Sequence, residues 1–116
     1  MTYKAPLKDM LFDIQHLAHI DQIAQIPGFE DAGLDTAQAV LEECAKFSEG
    51  VLSPLNWAGD QTPSSWKDGV VTTTPGFKNA FKQYAQGGWQ GLQHPADFGG
   101  QGLPKTIGAV CGEMVN

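Results

Sequence analysis

Apolar residues recur at spacings of three and four along much of this chain, and that spacing predicts helices. The first is predicted from about Pro6 to Ile20, where Leu7, Met10, Leu11, Ile14, Leu17 and Ala18 make one apolar face. Pro6 suits a first helical position, where a missing N–H goes unnoticed. Asp9, Asp13 and His16 fall on the opposite side. Pro27-Gly28 stops any continuation through Ile20, Ile23 and Ile26, and leaves Phe29 as an apolar anchor in a polar loop. The second helix has the clearest pattern. Asp35 is its expected N-cap, with Gln38 closing a capping box. Ala37, Val40, Leu41, Cys44, Phe47, Val51 and Leu52 form its buried stripe. Glu42 and Lys46 stand four apart on its wet face as an expected ion pair. Pro54 is expected to end or kink it.

Residues 56–73 read as a loop, with Trp66–Thr72 as a small hairpin around Asp68-Gly69. A lone hairpin is marginal, so this one is expected to lie on the helices. The third helix is predicted to start with Thr74 as N-cap and Pro75 at N1, and to close at Gly87-Gly88. It turns Phe77, Ala80, Phe81, Tyr84 and Ala85 inward. A glycine-rich loop runs to Leu103, and a last helix starts at Pro104 with Ile107, Val110, Cys111, Met114 and Val115 as its apolar face. That face is still running at Asn116, so a truncated helix is expected. Trp57, Trp66 and Trp89 are expected to pin loops to the core. The fold class that follows is all-α: a small bundle of four to five helices with long loops and one minor β-hairpin.

Composition narrows the function. The chain has 116 residues, 41% hydrophobic and 17% charged, which suits one soluble domain. Its net charge is −6, and all seven basic residues are lysines. With no arginine and no basic footprint, nucleic-acid binding is not expected. No apolar run approaches the ~20 residues of a membrane span, and the N-terminus lacks a signal-peptide pattern. Cys44 and Cys111 are too few for a disulfide framework or a four-ligand zinc site, which points to reduced thiols and a cytoplasmic location.

Three constellations invite chemical readings. Asp13, His16 and His19 have metal-ligand spacing on one helix, against the plain reading of a solvated face. Gly99 to Thr106 approaches a P-loop, but Pro104 replaces the glycine before Lys105 and has no N–H to offer a phosphate, so nucleotide hydrolysis is rejected. Cys44 and Cys111 lie on apolar stripes, where an inert thiol is usual. His94 precedes Pro95 in a loop and reads as structural.

The landmarks Gly88-Trp89, Leu92, Pro95, Asp97 to Pro104 and Glu113-Met114 resemble the N-terminal helical domain of acyl-CoA dehydrogenases. Ala96-Asp97-Phe98 departs mildly from the family's usual stretch. Tyr3, Ala5-Pro6, Asp9, Phe12, Pro27-Gly28-Phe29, Pro54-Leu55-Asn56, Gly59-Asp60, Pro75-Gly76-Phe77 and Tyr84 are similar to the longer members, including the 3-methylmercaptopropionyl-CoA dehydrogenase-like group. The resemblance implies an N-terminal extension over 1–34 and the α-domain over 35–116, cut short at its C-terminal end. It implies a full-length enzyme that uses FAD to remove an α-proton and a β-hydride from an acyl-CoA thioester, with the chemistry carried by the flavin. The glutamate base and main flavin contacts of the family lie in domains beyond this chain. No catalytic, flavin or metal residue is therefore carried over, FAD is not expected on this chain alone, and the chain alone is expected to be inactive. The loop Phe98, Gly99, Gly100, Gln101, Gly102 and Leu103 is the candidate neighbour of the substrate cavity. The other reading of that loop is a tight turn whose glycines permit close packing. Expected partners are the acyl-CoA, the remaining dehydrogenase domains and, through bare apolar faces including Ile107, Val110 and Met114, a second copy. A stand-alone interaction module and a metal-binding helical protein are the rival readings.

Overall fold

Leu41, Cys44 and Ala45 repeat once per turn on one helix, and Ile107, Cys111 and Met114 do so on another; all six are buried. These two stripes face each other and form the centre of the core. The computed structural model describes residues 2–116. Its helices are α1 (Leu7–His16), α2 (Ile20–Ile23), α3 (Leu34–Phe47), α4 (Ser53–Gln61), α5 (Phe77–Gln86) and α6 (Lys105–Val115). A π-helical turn, Ser48–Leu52, joins α3 to α4. Strands β1 (Ser65–Lys67) and β2 (Val70–Thr72) form a two-stranded antiparallel hairpin. The class is all-α with one small hairpin, as the sequence predicts.

Most of α1 follows the predicted periodicity, with Met10 and Ile14 buried. The helix ends at His16, earlier than expected, because His19 takes a left-handed conformation at φ 52°. Leu17 is consequently 72% exposed, while Ile20 is fully buried at the start of α2. Met10, Ile14 and Ile20 join the same core as α3 and α6. Phe29 packs against that core from its loop, as expected.

The N-terminus of α3 corrects the predicted capping box. Gly33 is the N-cap and no side chain bonds there. Asp35 sits in the first turn, where its charge suits the positive end of the helix dipole. Gln38 Nε2 instead donates to Glu42 Oε1 at 2.8 Å. Lys46 pairs with Glu43 rather than with Glu42.

Pro54 does not end the second helix. The π turn places its extra residue just before Pro54, so the hydrogen-bond ladder is already shifted where proline has no N–H to give. The rod continues to Gln61, and the start of the predicted 56–73 loop is helix. The rest of that segment is the predicted hairpin, paired Ser65 with Thr72, Trp66 with Val71 and Lys67 with Val70. Asp68 and Gly69 both have positive φ, at 50° and 82°, which gives the turn the twist the strands need. The hairpin does not lie on the helices: every strand residue is exposed. Thr74, the expected N-cap of α5, instead closes the hairpin's base by donating its hydroxyl to the Thr62 carbonyl at 2.6 Å. Gly76 precedes α5 instead. Gly88, left-handed at φ 75°, follows its end as predicted. Trp57 and Trp66 are exposed on α4 and β1, against the anchor reading. Trp89 does anchor its turn, stacking on Phe47 with centroids 6.4 Å apart.

Helix α3 covers much of the α6 face: Ile107 and Met114 are buried, while Val110 is half-buried. The molecule is a slab, 54 × 34 × 17 Å between Cα extremes, about two helix layers thick. Its accessible surface is 7,988 Å². A globular monomer of this size exposes roughly 6,200 Å², so about 1,800 Å² is in excess.

An N-terminal strap crosses the π turn. Tyr3 N–H donates to Ser53 Oγ at 3.1 Å. The Glu49 carboxylate accepts the Ala5 N–H at 2.9 Å and the Lys4 ammonium at 3.1 Å. The Ala5 N–H first, then Lys4, holds the Glu49 carboxyl below its ordinary 4.5. A lowered native pKa means the tie is fully present above pH 4.5 and is lost as pH falls through the native value. The protection factor of the Ala5 amide, its exchange relative to the intrinsic rate at each pH, should therefore fall on acidification. In Glu49→Gln that acid-dependent step should vanish; an unchanged step would show that another group controls the strap.

Candidate functional site

The glycine-rich loop is a folded-back turn. Gly100 N–H donates to the Pro95 carbonyl at 3.1 Å, Gln101 N–H to Gly91 at 3.0 Å, Gly102 N–H to His94 at 2.9 Å and Leu103 N–H to Leu92 at 2.9 Å. Four consecutive amides are thus spent inside the chain and cradle no phosphate, which agrees with rejecting the P-loop reading. Gly100 packs against the His94 carbonyl so closely that a Cβ there would lie 2.5 Å from its carbon and 2.7 Å from the His94 Cβ. Phe98, by contrast, is 87% exposed. None of Phe98, Gly99, Gly100, Gln101, Gly102 and Leu103 lines either of the two cavities described below.

The larger cavity is an open groove of about 820 Å³, within the size range of ligand and helix-binding clefts. Leu52 and Leu55 form one wall, Phe77 and Phe81 of α5 a second, and Met114 and Val115 of α6 a third. Of the stripe that periodicity predicts as inward-facing, the α5 residues Phe77, Ala80, Phe81 and Tyr84 line the groove and Ala85 does not. Only Ala80 is buried, and Phe81 is 66% exposed. The period is right; the stripe faces the groove. Two close contacts set α5 beside α4: the Phe77 ring over Gly59, and the Leu55 side chain over Gly76. Phe47 also meets Tyr84, with centroids 6.1 Å apart.

The lining also carries polar residues, among them Ser53, Asn56, Thr73 and Lys78. Tyr3 of the strap and Glu113 lie on its lining. Ser48, in the π turn, lines it as well; its hydroxyl is buried and has no hydrogen-bond partner among the described residues. Such an orphan costs about 1–3 kcal/mol. The sequence pattern carries the second helix to Leu52, but not its continuation over Ser53–Gln61 nor the groove wall that this builds. Pro54 at a first-turn position, with Leu55 and Ala58 three apart, was the available signal. A smaller cavity of about 220 Å³ lies beside Trp89, Gln93, Gly108 and Cys111.

The other constellations hold no site. Among the described residues no three His, Cys, Asp or Glu side chains are grouped to bind a metal ion. The left-handed turn at His19 takes it off α1, away from the helical register of Asp13 and His16. Cys44 and Cys111 are free, buried thiols, with Cys44 Sγ 3.7 Å from the Cys111 carbonyl oxygen. The neighbouring Cys44 sulfur, then burial, pushes the Cys111 thiol far above its ordinary range. Both thiols are buried, the setting of a structural cysteine. No helix of the described residues is long and apolar enough to cross a membrane.

No family model matches the chain. It is 40% identical over 116 residues, 100% of its length, to the 3-methylmercaptopropionyl-CoA dehydrogenase of Ruegeria pomeroyi, and the match covers 20% of that protein. It is 24% identical over 107 residues, 90% of its length, to the broad-specificity linear acyl-CoA dehydrogenase FadE5 of Mycobacterium tuberculosis, covering 18% of it. The chain spans about a fifth of the length of these curated relatives. The chain is thus similar along its whole length to one acyl-CoA dehydrogenase and along nine tenths of it to another.

Proposed function

We propose that this chain is the N-terminal helical part of an FAD-dependent acyl-CoA dehydrogenase, with residues 1–34 as an extension and 35–116 as the α-domain. The observation that carries the reading is the 40% identity along the entire chain to one such enzyme. In the full-length enzyme the reaction is α,β-dehydrogenation of an acyl-CoA thioester. The chain's part is to pack against the remaining domains and contribute to the wall of the substrate cavity, with the Phe98–Leu103 loop beside it. Its excess surface of about 1,800 Å² is about twice what one partner contributes to a standard protein interface, and supports a docking role.

The residues present do not suit the flavin itself. The loop amides are internally bonded, and the chain has no arginine for the pyrophosphate. FAD is therefore assigned to polypeptide outside this chain, and the 116 residues alone are inactive. The full-length protein should purify yellow and bleach on addition of its acyl-CoA, whereas the isolated chain should carry no flavin. A colourless full-length protein that no acyl-CoA reduces would overturn the reading in favour of a non-catalytic interaction module.

A further inference from the structure

We infer that the groove between the π turn, α5 and the end of α6 seats an amphipathic helix supplied in cis by polypeptide that follows Asn116. The inference rests on the reading above that this chain is the front of a longer protein.

Three observations select that occupant. Helix α5 carries a regular apolar stripe at i, i+3, i+4 and i+7, yet of its members only Ala80 is buried. A stripe of that period is completed by another helix laid along it. The last turn of α6, Glu113 to Asn116, is itself part of the groove lining. Chain leaving Asn116 is thus already at the groove, and helix–helix connections of about 2–8 residues suffice to turn it back. The relatives extend this chain about fivefold, so such polypeptide is at hand without a second molecule. A second copy of the chain is the alternative occupant, and the dilution arm of the test below separates it from polypeptide supplied in cis.

Helix α5 supplies its own control. Lys78 lines the groove, and Lys82, four residues on, is exposed outside it. In the full-length polypeptide, Lys78→Cys and Lys82→Cys are labelled with a maleimide under native conditions and the α5 peptide is read by mass spectrometry. Labelling of Lys78→Cys should be slower than that of Lys82→Cys by about tenfold or more. Equal labelling rates would overturn the inference. So would protection that fades on dilution, which assigns the groove to a second copy, or protection that requires added acyl-CoA, which assigns it to the ligand. A native polypeptide ending at Asn116 would also overturn it. Flavin content and turnover are scored separately: a protected groove in a flavin-free protein sinks the dehydrogenase reading alone, and an active enzyme with an open groove sinks this inference alone.

Discussion

Gly100→Ala should destabilise the protein by about 4 kcal/mol, enough to remove much of a typical domain's stability. The added methyl group meets the backbone carbonyl of His94, which cannot rotate away as a side chain can. Relieving the overlap means opening the turn, at about 1–3 kcal/mol of strain. It also breaks the Gly100–Pro95 and Gly102–His94 hydrogen bonds, each contributing about 1 kcal/mol. Two neighbouring glycines make the comparison specific. Gly99 has open space around it but a φ of 84°, so Gly99→Ala should cost about 1–2 kcal/mol through its backbone alone. Gly108 lies within α6, and the three atoms nearest to its Cβ would all belong to the exposed Gln93 side chain, which must take another rotamer. There the strain is offset by the roughly 1 kcal/mol that alanine gains over glycine in a helix, so Gly108→Ala should be close to neutral. Urea midpoints should fall in the order Gly108→Ala, Gly99→Ala, Gly100→Ala. If Gly100→Ala proves as mild as Gly99→Ala, the close packing of the turn is not what the glycine serves.

Sequence alone carried a large part of this fold, for reasons that differ between elements. Helices α3 and α6 were legible because each buries one full stripe in the core, and burial is what apolar periodicity records. The hairpin was legible from Asp68-Gly69, since turn chemistry is local. Three features were not. The left-handed His19 that ends α1 has no signature in a non-glycine residue. The passage of α3 through Pro54 depends on a π turn, and a proline within a periodic run ordinarily signals a helix end. The orientation of α5 was half legible: its stripe gives the period, but no pattern says whether the surface opposite is core or groove. The candidate site was less legible than the fold for the same reason. Leu52, Leu55, Phe81 and Val115 are distant in sequence and come together only because α4 runs on and α5 returns beside it. The loop Phe98–Leu103 was legible as a motif, while the use of its amides was visible only once their partners were in place.

Leu41→Ala should cost about 3 kcal/mol, whereas Leu17→Ala should change stability by less than about 0.5 kcal/mol. Periodicity places both leucines on apolar helix faces, so the pair separates pattern from packing. Leu41 is fully buried, with α6 packed across its helix and Ile107 in the same cluster. Truncating it removes buried methyl groups and leaves a cavity between two helices. In a slab about two layers thick, the rest of the core is too thin to close over that cavity without moving a whole helix. Leu17 follows the last turn of α1 and is 72% exposed, because the left-handed His19 has already turned the chain away. Its truncation removes surface that water already reaches. Chemical denaturation followed by far-ultraviolet circular dichroism measures both. Equal effects from the two substitutions would place Leu17 in contact with something the described residues do not provide, and would extend the docking surface from the groove to the end of α1.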